Sequence, residues 1–133
     1  MIKGKVLCGG DAKGEALVFD VPFSFIGDVD PKNGEIIMAN NALRGYNIKD
    51  KVLVMTTGHG GTIAPFMAYE AHKNGCKPVA IICNIADSIT IECGIVMGIP
   101  VVDSFKEDIT KVFKTGDVLS INVGDGTITN NIN

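Results

Sequence analysis

The segment Thr57-Gly58-His59-Gly60-Gly61-Thr62 gathers three glycines around one imidazole and closes on a hydroxyl. It lies between the apolar run Lys51–Met55 and a helix-like run over residues 63–74. Glycines there let backbone approach a ligand closely, and a helix that begins just after them aims unsatisfied N–H groups and the positive end of its dipole at the same spot. The chemistry this suits is recognition of a polar or anionic small molecule, with Gly58, Gly60 and Gly61 as binding positions. The same spacing also fits an ordinary tight βα connection whose glycines serve only unusual backbone angles. Two nucleotide motifs are excluded. A phosphate-cradling loop needs Lys and then Ser or Thr after its last glycine, whereas Gly61 runs into Thr62-Ile63, and a dinucleotide fingerprint needs a further spaced glycine.

Cysteine chemistry is less promising. Cys8, Cys76, Cys83 and Cys93 form no C-x-x-C pair and accompany two histidines, which defeats the spacing of a structural zinc or a self-contained iron–sulfur site. Cys83, in the apolar run 79–83, is expected in the core; Cys93, beside Gly94, is the one thiol retained as a redox or ligand residue. No metal site is expected in this chain, and any metal belongs mainly to another chain.

The elements that position the glycine loop follow from the pattern. Strands are expected at Lys5–Cys8, 15–20 and 35–38, the first two flanking the turn Gly9-Gly10-Asp11, so that the first third reads as β-rich. Next come a buried strand at Lys51–Met55, a helix over 63–74 and a strand over 79–83, a βαβ unit. Ile63, Phe66, Met67 and Ala71 share one helical face, and Gly75 with Pro78 stops the helix. A helix over 87–96 and a strand over 99–102 repeat the αβ step. A helix over 106–114 and a hairpin of 118–123 with 127–132 about Gly124-Asp125-Gly126 complete an α/β layered chain.

At 133 residues and 46% hydrophobic content the chain suits a single domain, 1–133. A net charge of -3, a pI near 5.2 and a single arginine argue against a nucleic-acid surface. No apolar stretch approaches the ~18 residues of a membrane span, and Met1-Ile2-Lys3-Gly4-Lys5 lacks the apolar block of a secretory signal, so a cytoplasmic location is expected.

The order of motifs resembles the small subunit, or swivelling domain, of aconitase X. The likeness is carried by Gly14-Glu15-Ala16-Leu17-Val18, by Phe23-Ser24-Phe25-Ile26-Gly27-Asp28-Val29-Asp30-Pro31 with Gly34, and by Gly45 and Lys51-Val52-Leu53-Val54. The loop Gly58-His59-Gly60, Asn74-Gly75 with Lys77-Pro78-Val79-Ala80-Ile81, and Gly98-Ile99-Pro100-Val101-Val102 extend it over about residues 4 to 123. The resemblance implies a swivelling β/β/α domain, similar to the mobile fourth domain of aconitase, that closes over a larger subunit holding an iron–sulfur cluster. It implies a hydro-lyase, the family's substrates being cis-3-hydroxyproline or mevalonate 5-phosphate. Such a dehydration needs a Lewis acid at the leaving hydroxyl and a base at the adjacent C–H.

Related swivel domains carry serine directly after the Gly-x-Gly as the proposed base, and this chain has Gly61 there. Thr62, one position on, offers a hydroxyl at the helix N-terminus, as a substitute base or only as an N-cap. His59 offers an anion contact or a proton acceptor near neutral pH, or is a solvent-exposed loop residue. Ser24 is a substrate-side candidate, while Asp28 and Asp30 either line the pocket or dock on the partner subunit, or serve as turn caps. Arg44, the lone guanidinium, is a secondary candidate for a carboxylate or phosphate; one arginine is little provision for a phosphate and tilts the substrate toward a hydroxyproline-like amino acid. The reading from another class is a non-catalytic interaction module that has lost its base.

Overall fold

The computed structural model describes residues 1–131. Eight strands and three helices run in the order β1 (Ile2–Lys3), β2 (Lys5–Cys8), β3 (Ala12–Val18), β4 (Lys51–Met55), α1 (Ala64–Lys73), β5 (Ala80–Cys83), α2 (Ser88–Met97), β6 (Val101–Asp103), α3 (Ile109–Val112), β7 (Val118–Asn122) and β8 (Thr127–Asn130). The strands form one sheet in the order β1-β8-β7-β3-β4-β5-β6-β2. β3, β4, β5 and β6 are mutually parallel, and the outer pairings are antiparallel. β1 and β2 occupy opposite edges of this sheet yet are separated only by Gly4, so the sheet must curl until its edges meet. The Gly4 amide donates to Gly126 O at 2.9 Å across that junction. Closure leaves few open strand edges for unwanted pairing.

Strand alternation sorts the core into two faces. Ala16, Val52, Val54, Ala80, Ile82, Val102, Leu119, Ile121 and Ile128 point into the curled sheet, where Ile109 and Phe113 from the α3 region join them. Leu17, Leu53, Met55, Ile81, Cys83 and Val101 point the other way, toward Ala64 and Ala68 of α1, Cys93 and Met97 of α2, and Phe19, Phe23, Phe25, Ile36 and Ile48 of the β3–β4 connection. Because both faces are covered, Val52 through Met55 are all buried, which is why the sequence there is continuously apolar instead of alternating. Two β layers under one helical layer result, the β/β/α arrangement expected.

Several expectations need correction. The Glu35–Met38 region is not a strand: Ile36 bridges Val29 and Glu35 bridges Asn47, inside a long irregular connection between two parallel strands. The first third is therefore less β-rich than its composition suggests. β3 begins three residues earlier than the expected 15–20 strand and stops at Val18. It does not pair with β2 across Gly9-Gly10-Asp11; β2 crosses to β6. The 106–114 helix shrinks to the single turn Ile109–Val112, N-capped by Asp108, whose side chain accepts from the Thr110 amide. On α1 the buried face is Ala64, Ala68 and Ala71, whereas Ile63 and Phe66 are 53% and 70% exposed. Small alanines let α1 approach the sheet and α2 closely, and the bulky side chains turn outward. The C-terminal hairpin is present as β7–β8, and Ile132, placed in its second strand, lies outside the described residues.

Candidate functional site

The parallel strands β3, β4, β5 and β6 all end at one rim, and ligands of open α/β sheets bind at such carboxyl ends. The rim here carries the connections that follow Val18, Met55, Cys83 and Asp103. The glycine loop follows β4 and is tied to the segment after β3. Phe23 forms a parallel bridge with Gly58; the Phe23 amide donates to Thr57 O at 3.3 Å and the His59 amide to Phe23 O at 3.1 Å. Ser24 lies directly beneath and is buried. Its hydroxyl donates to Gly60 O at 2.9 Å and accepts from the Ile26 amide at 3.0 Å. The Ser24 amide in turn donates to Asp28 Oδ2 at 2.8 Å.

Asp28 reaches beyond that turn. Its Oδ2 also lies 3.2 Å from His59 Nε2, with the carboxylate side chain 17% and the imidazole 52% exposed. On the opposite side, the N-cap of α2 presses on the loop. Asp87 accepts from the amide of Thr90 and from its hydroxyl, and a Cβ placed on Gly58 would overlap both Thr90 Oγ1 and Asp87 Oδ1. Gly58 is thus a close-approach glycine, fixed between β3's continuation and α2. The α2 N-terminus is itself fixed from β6, where buried Asp103 accepts from the Ala86 amide at 2.9 Å.

Gly60 and Gly61 have φ of 72° and 90°, and a Cβ on Gly61 would run into Ile26 Cδ1. A serine here would therefore be strained in this loop conformation. Beyond it the local geometry departs from the expected helix start. The N-cap is Ile63, without a side-chain cap, so Thr62 does not cap α1; it is exposed and its hydroxyl meets no partner among the described residues. Pro65 has no N–H, and the Ala64 and Phe66 amides are taken by Gly61 O and Ile63 O. The N–H groups of Gly60, Gly61, Thr62 and Ile63 meet no acceptor among the described residues, and Gly61, Thr62 and Ile63 are exposed. Such a row can donate to a carboxylate or phosphate oxygen without any arginine.

The structure thus brings together Ser24, Gly58, His59, Gly60 and Gly61, with Thr62 at the edge. Arg44 is elsewhere: it is exposed on the β3–β4 connection and donates to Ile37 O. Sequence reasoning weighed Asp28 as a pocket-lining or docking acid and as a turn cap but missed its reach to His59, since 31 residues separate them and the Phe23–Gly58 bridge aligns the two segments. Asp87 and Thr90 were also missed; the one signal was the glycine at position 58, which needed a neighbour to explain it.

The thiols do not make a metal site. Cys76, Cys83 and Cys93 are buried, Cys8 is half-buried, and no group of three or more His, Cys, Asp or Glu is placed to hold a metal among the described residues. Burial pushes the Cys83 and Cys93 thiols up to about 12, with Asp103 and Asp87 adding to it at Cys83, and Asp87 and Glu92 at Cys93. Cys93 is therefore a protonated core thiol, and the redox or ligand alternative kept for it finds no support in its surroundings. Both should resist alkylation by iodoacetamide at pH 8 in the native chain and react fully in guanidinium; modification of either at native rates comparable to a free thiol would contradict their burial.

Comparison with known proteins places this geometry in context. A family model described as aconitase X swivel domain matches residues 1–130. The phosphomevalonate dehydratase small subunit of Thermococcus sibiricus is 39% identical over 127 residues, covering 96% of this chain and 95% of that protein. Those of Methanosarcina acetivorans and Methanocella arvoryzae are 39% and 40% identical, covering 96% and 95% of this chain and 88% and 93% of theirs. The crystal structure of Thermococcus kodakaraensis aconitase X in its holo form superposes with a TM-score of 0.90 at 34% identity, over 98% of each chain.

Proposed function

The chain belongs to the aconitase X swivel-domain family and is a dehydratase subunit, and on that premise we propose that it is the small subunit of an enzyme that dehydrates mevalonate 5-phosphate. In this reading the whole chain, 1–133, is one swivel domain, cytoplasmic, that closes over a large subunit carrying an iron–sulfur cluster. The observation that carries it is the near-complete alignment with relatives named for that dehydratase, together with a glycine loop standing at the parallel-strand rim. The substrate reading moves from a hydroxyproline-like amino acid to a phosphorylated hydroxy acid. Scarcity of arginine counts for little once the free N–H row from Gly60 to Ile63 is available as an anion contact.

The cluster does not fit this chain's own thiols, which are scattered, three of them buried and Cys8 half-buried, with Cys83 and Cys93 held protonated, so it is assigned to the large subunit and no step is derived through it. What this chain contributes is a proton acceptor beside a backbone anion contact. His59 and Thr62 are the proton-handling groups, Gly58, Gly60 and Gly61 shape the contact, and Ser24 holds the loop from below; Arg44, away from the loop, is left as a contact for the substrate's far end. Exposed Ile63, Phe66 and Ile85, at the start of α1 and in the β5–α2 connection, offer apolar surface for the large subunit to cover.

Tagged and co-expressed anaerobically with the large subunit, the chain should co-purify with it in equal amounts, and neither partner alone should turn over substrate. A chain that stays unbound, or a large subunit fully active without it, would overturn this reading.

A further inference from the structure

Resting on the dehydratase reading, we propose that Asp28 is the positioning residue for His59, fixing the imidazole with its proton on Nε2 and leaving Nδ1 as the atom that accepts the substrate's proton. The argument starts from hydrogen-bond inventory. An ionised carboxylate only accepts, so the 3.2 Å contact of Asp28 Oδ2 with His59 Nε2 requires that nitrogen to donate. In a neutral ring the other nitrogen then carries the lone pair. Asp28 is itself held: its Oδ2 accepts from the Ser24 amide at 2.8 Å, Ser24 Oγ is locked to Gly60 O, and the His59 amide is locked to Phe23 O. Both ends of the pair therefore hang on the same Phe23-Ser24 segment, and the ring's direction is set by backbone instead of by a mobile side chain. The arrangement has the parts of a base with an orienting carboxylate.

The step balances within this geometry. His59 Nδ1 takes the proton from the carbon beside the hydroxyl-bearing carbon, the C–H electron pair becomes the new C=C bond, and the C–O bond breaks with its electrons leaving on oxygen as hydroxide. The proton on Nδ1 makes the ring cationic, and its release to water restores the neutral base.

Asp28→Ala is the informative change. It removes the one oxygen that both the Ser24 amide and His59 Nε2 reach, whereas in Asp28→Asn the Oδ1 held by the Ser24 amide also accepts from His59 Nε2 and keeps the ring's tautomer. Two measurements test this. Nitrogen-15 shifts of the two ring nitrogens of His59 in the full chain, assigned with His59→Gln as reference, should show Nε2–H in the parent and in Asp28→Asn, and a mixture of both tautomers in Asp28→Ala. In the complex with the large subunit, Asp28→Ala should lower kcat on the order of ten- to a hundred-fold at unchanged KM, and Asp28→Asn should retain more of it. Asp28→Ala should have no further effect in a His59→Gln background. A parent ring that carries its proton on Nδ1, or an undiminished kcat in Asp28→Ala, overturns the proposal; so does an effect of equal size with His59 already removed, which would mark Asp28 as a support of the loop only. If the parent complex leaves mevalonate 5-phosphate untouched while the ring nitrogens behave as stated, the substrate reading falls and the positioning of His59 by Asp28 stands.

Discussion

His59→Ala, in the assembled enzyme, is expected to lower kcat by roughly 10²–10⁴-fold, the usual worth of a positioned acid or base, with KM changed by less than about three-fold. The reasoning runs through the loop's construction. The His59 backbone is pinned to Phe23 and its ring to Asp28, so truncating the ring removes a proton acceptor without freeing the loop, which Ser24 and Gly60 continue to hold. Binding should survive because the N–H row from Gly60 to Ile63 does not depend on the imidazole. Thr62→Ala is the comparison. Thr62 is exposed, caps nothing and has no partner to orient its hydroxyl, so its loss should reduce kcat by no more than about ten-fold. The reverse ranking, with Thr62→Ala abolishing turnover and His59→Ala nearly active, would transfer the proton-accepting part to Thr62 and contradict this assignment.

Phe19→Ala should produce the largest loss of stability, on the order of 3–5 kcal/mol, seen as a fall in Tm of roughly 10–20 °C for the isolated chain. Phe19 is fully buried at the exit of β3, and its amide donates to Val54 O at 2.8 Å. Its ring lies 4.9 Å from that of Phe23, which meets Phe25 edge-on at 5.2 Å. Phe23 and Phe25 flank Ser24, and the three rings anchor an otherwise irregular connection against Leu17, Met55 and Ile81. Removing the first leaves a cavity that neighbours on a curled sheet cannot collapse to fill, and the contact between rings is lost as well. Because Phe23 also carries the bridge to Gly58, turnover of the complex should fall along with stability. A Tm within about 3 °C of the parent would mean that the connection repacks freely, and the rigid support proposed for the loop would fail.

Much of the framework was legible in the sequence because it rests on local signals. Lys51–Met55 is short, apolar and bounded by turn residues, and the helix after it ends at glycine and proline; β4, α1 and β5 stand where these features put them. The same holds for the Gly124-Asp125-Gly126 hairpin, where Asp125 accepts from the Thr127 amide and Gly126 N donates to Asn122 O. What failed depended on partners distant in sequence. The 35–38 segment alternates like a strand but has no neighbour long enough to ladder with, so single bridges are all it forms. Of the expected α1 face, Met67 and Ala71 do turn to the core while Ile63 and Phe66 turn outward, because close packing selects alanines for the interior. At the site, the glycine loop announced itself through composition, but the Asp28–His59 pair required the Phe23–Gly58 bridge, which no local pattern encodes. Thr62's failure to cap α1 was equally hidden, because it follows from the turn geometry of Gly60 and Gly61.

The most direct measurement is steady-state dehydration by the anaerobically purified, cluster-loaded complex of this chain with its large subunit, offered mevalonate 5-phosphate and cis-3-hydroxyproline separately. Saturable loss of water from mevalonate 5-phosphate, absent with either subunit alone and with cis-3-hydroxyproline, is the expected result. Turnover of cis-3-hydroxyproline instead, or of neither compound by an intact complex, would contradict the assignment of this chain to a phosphomevalonate dehydratase.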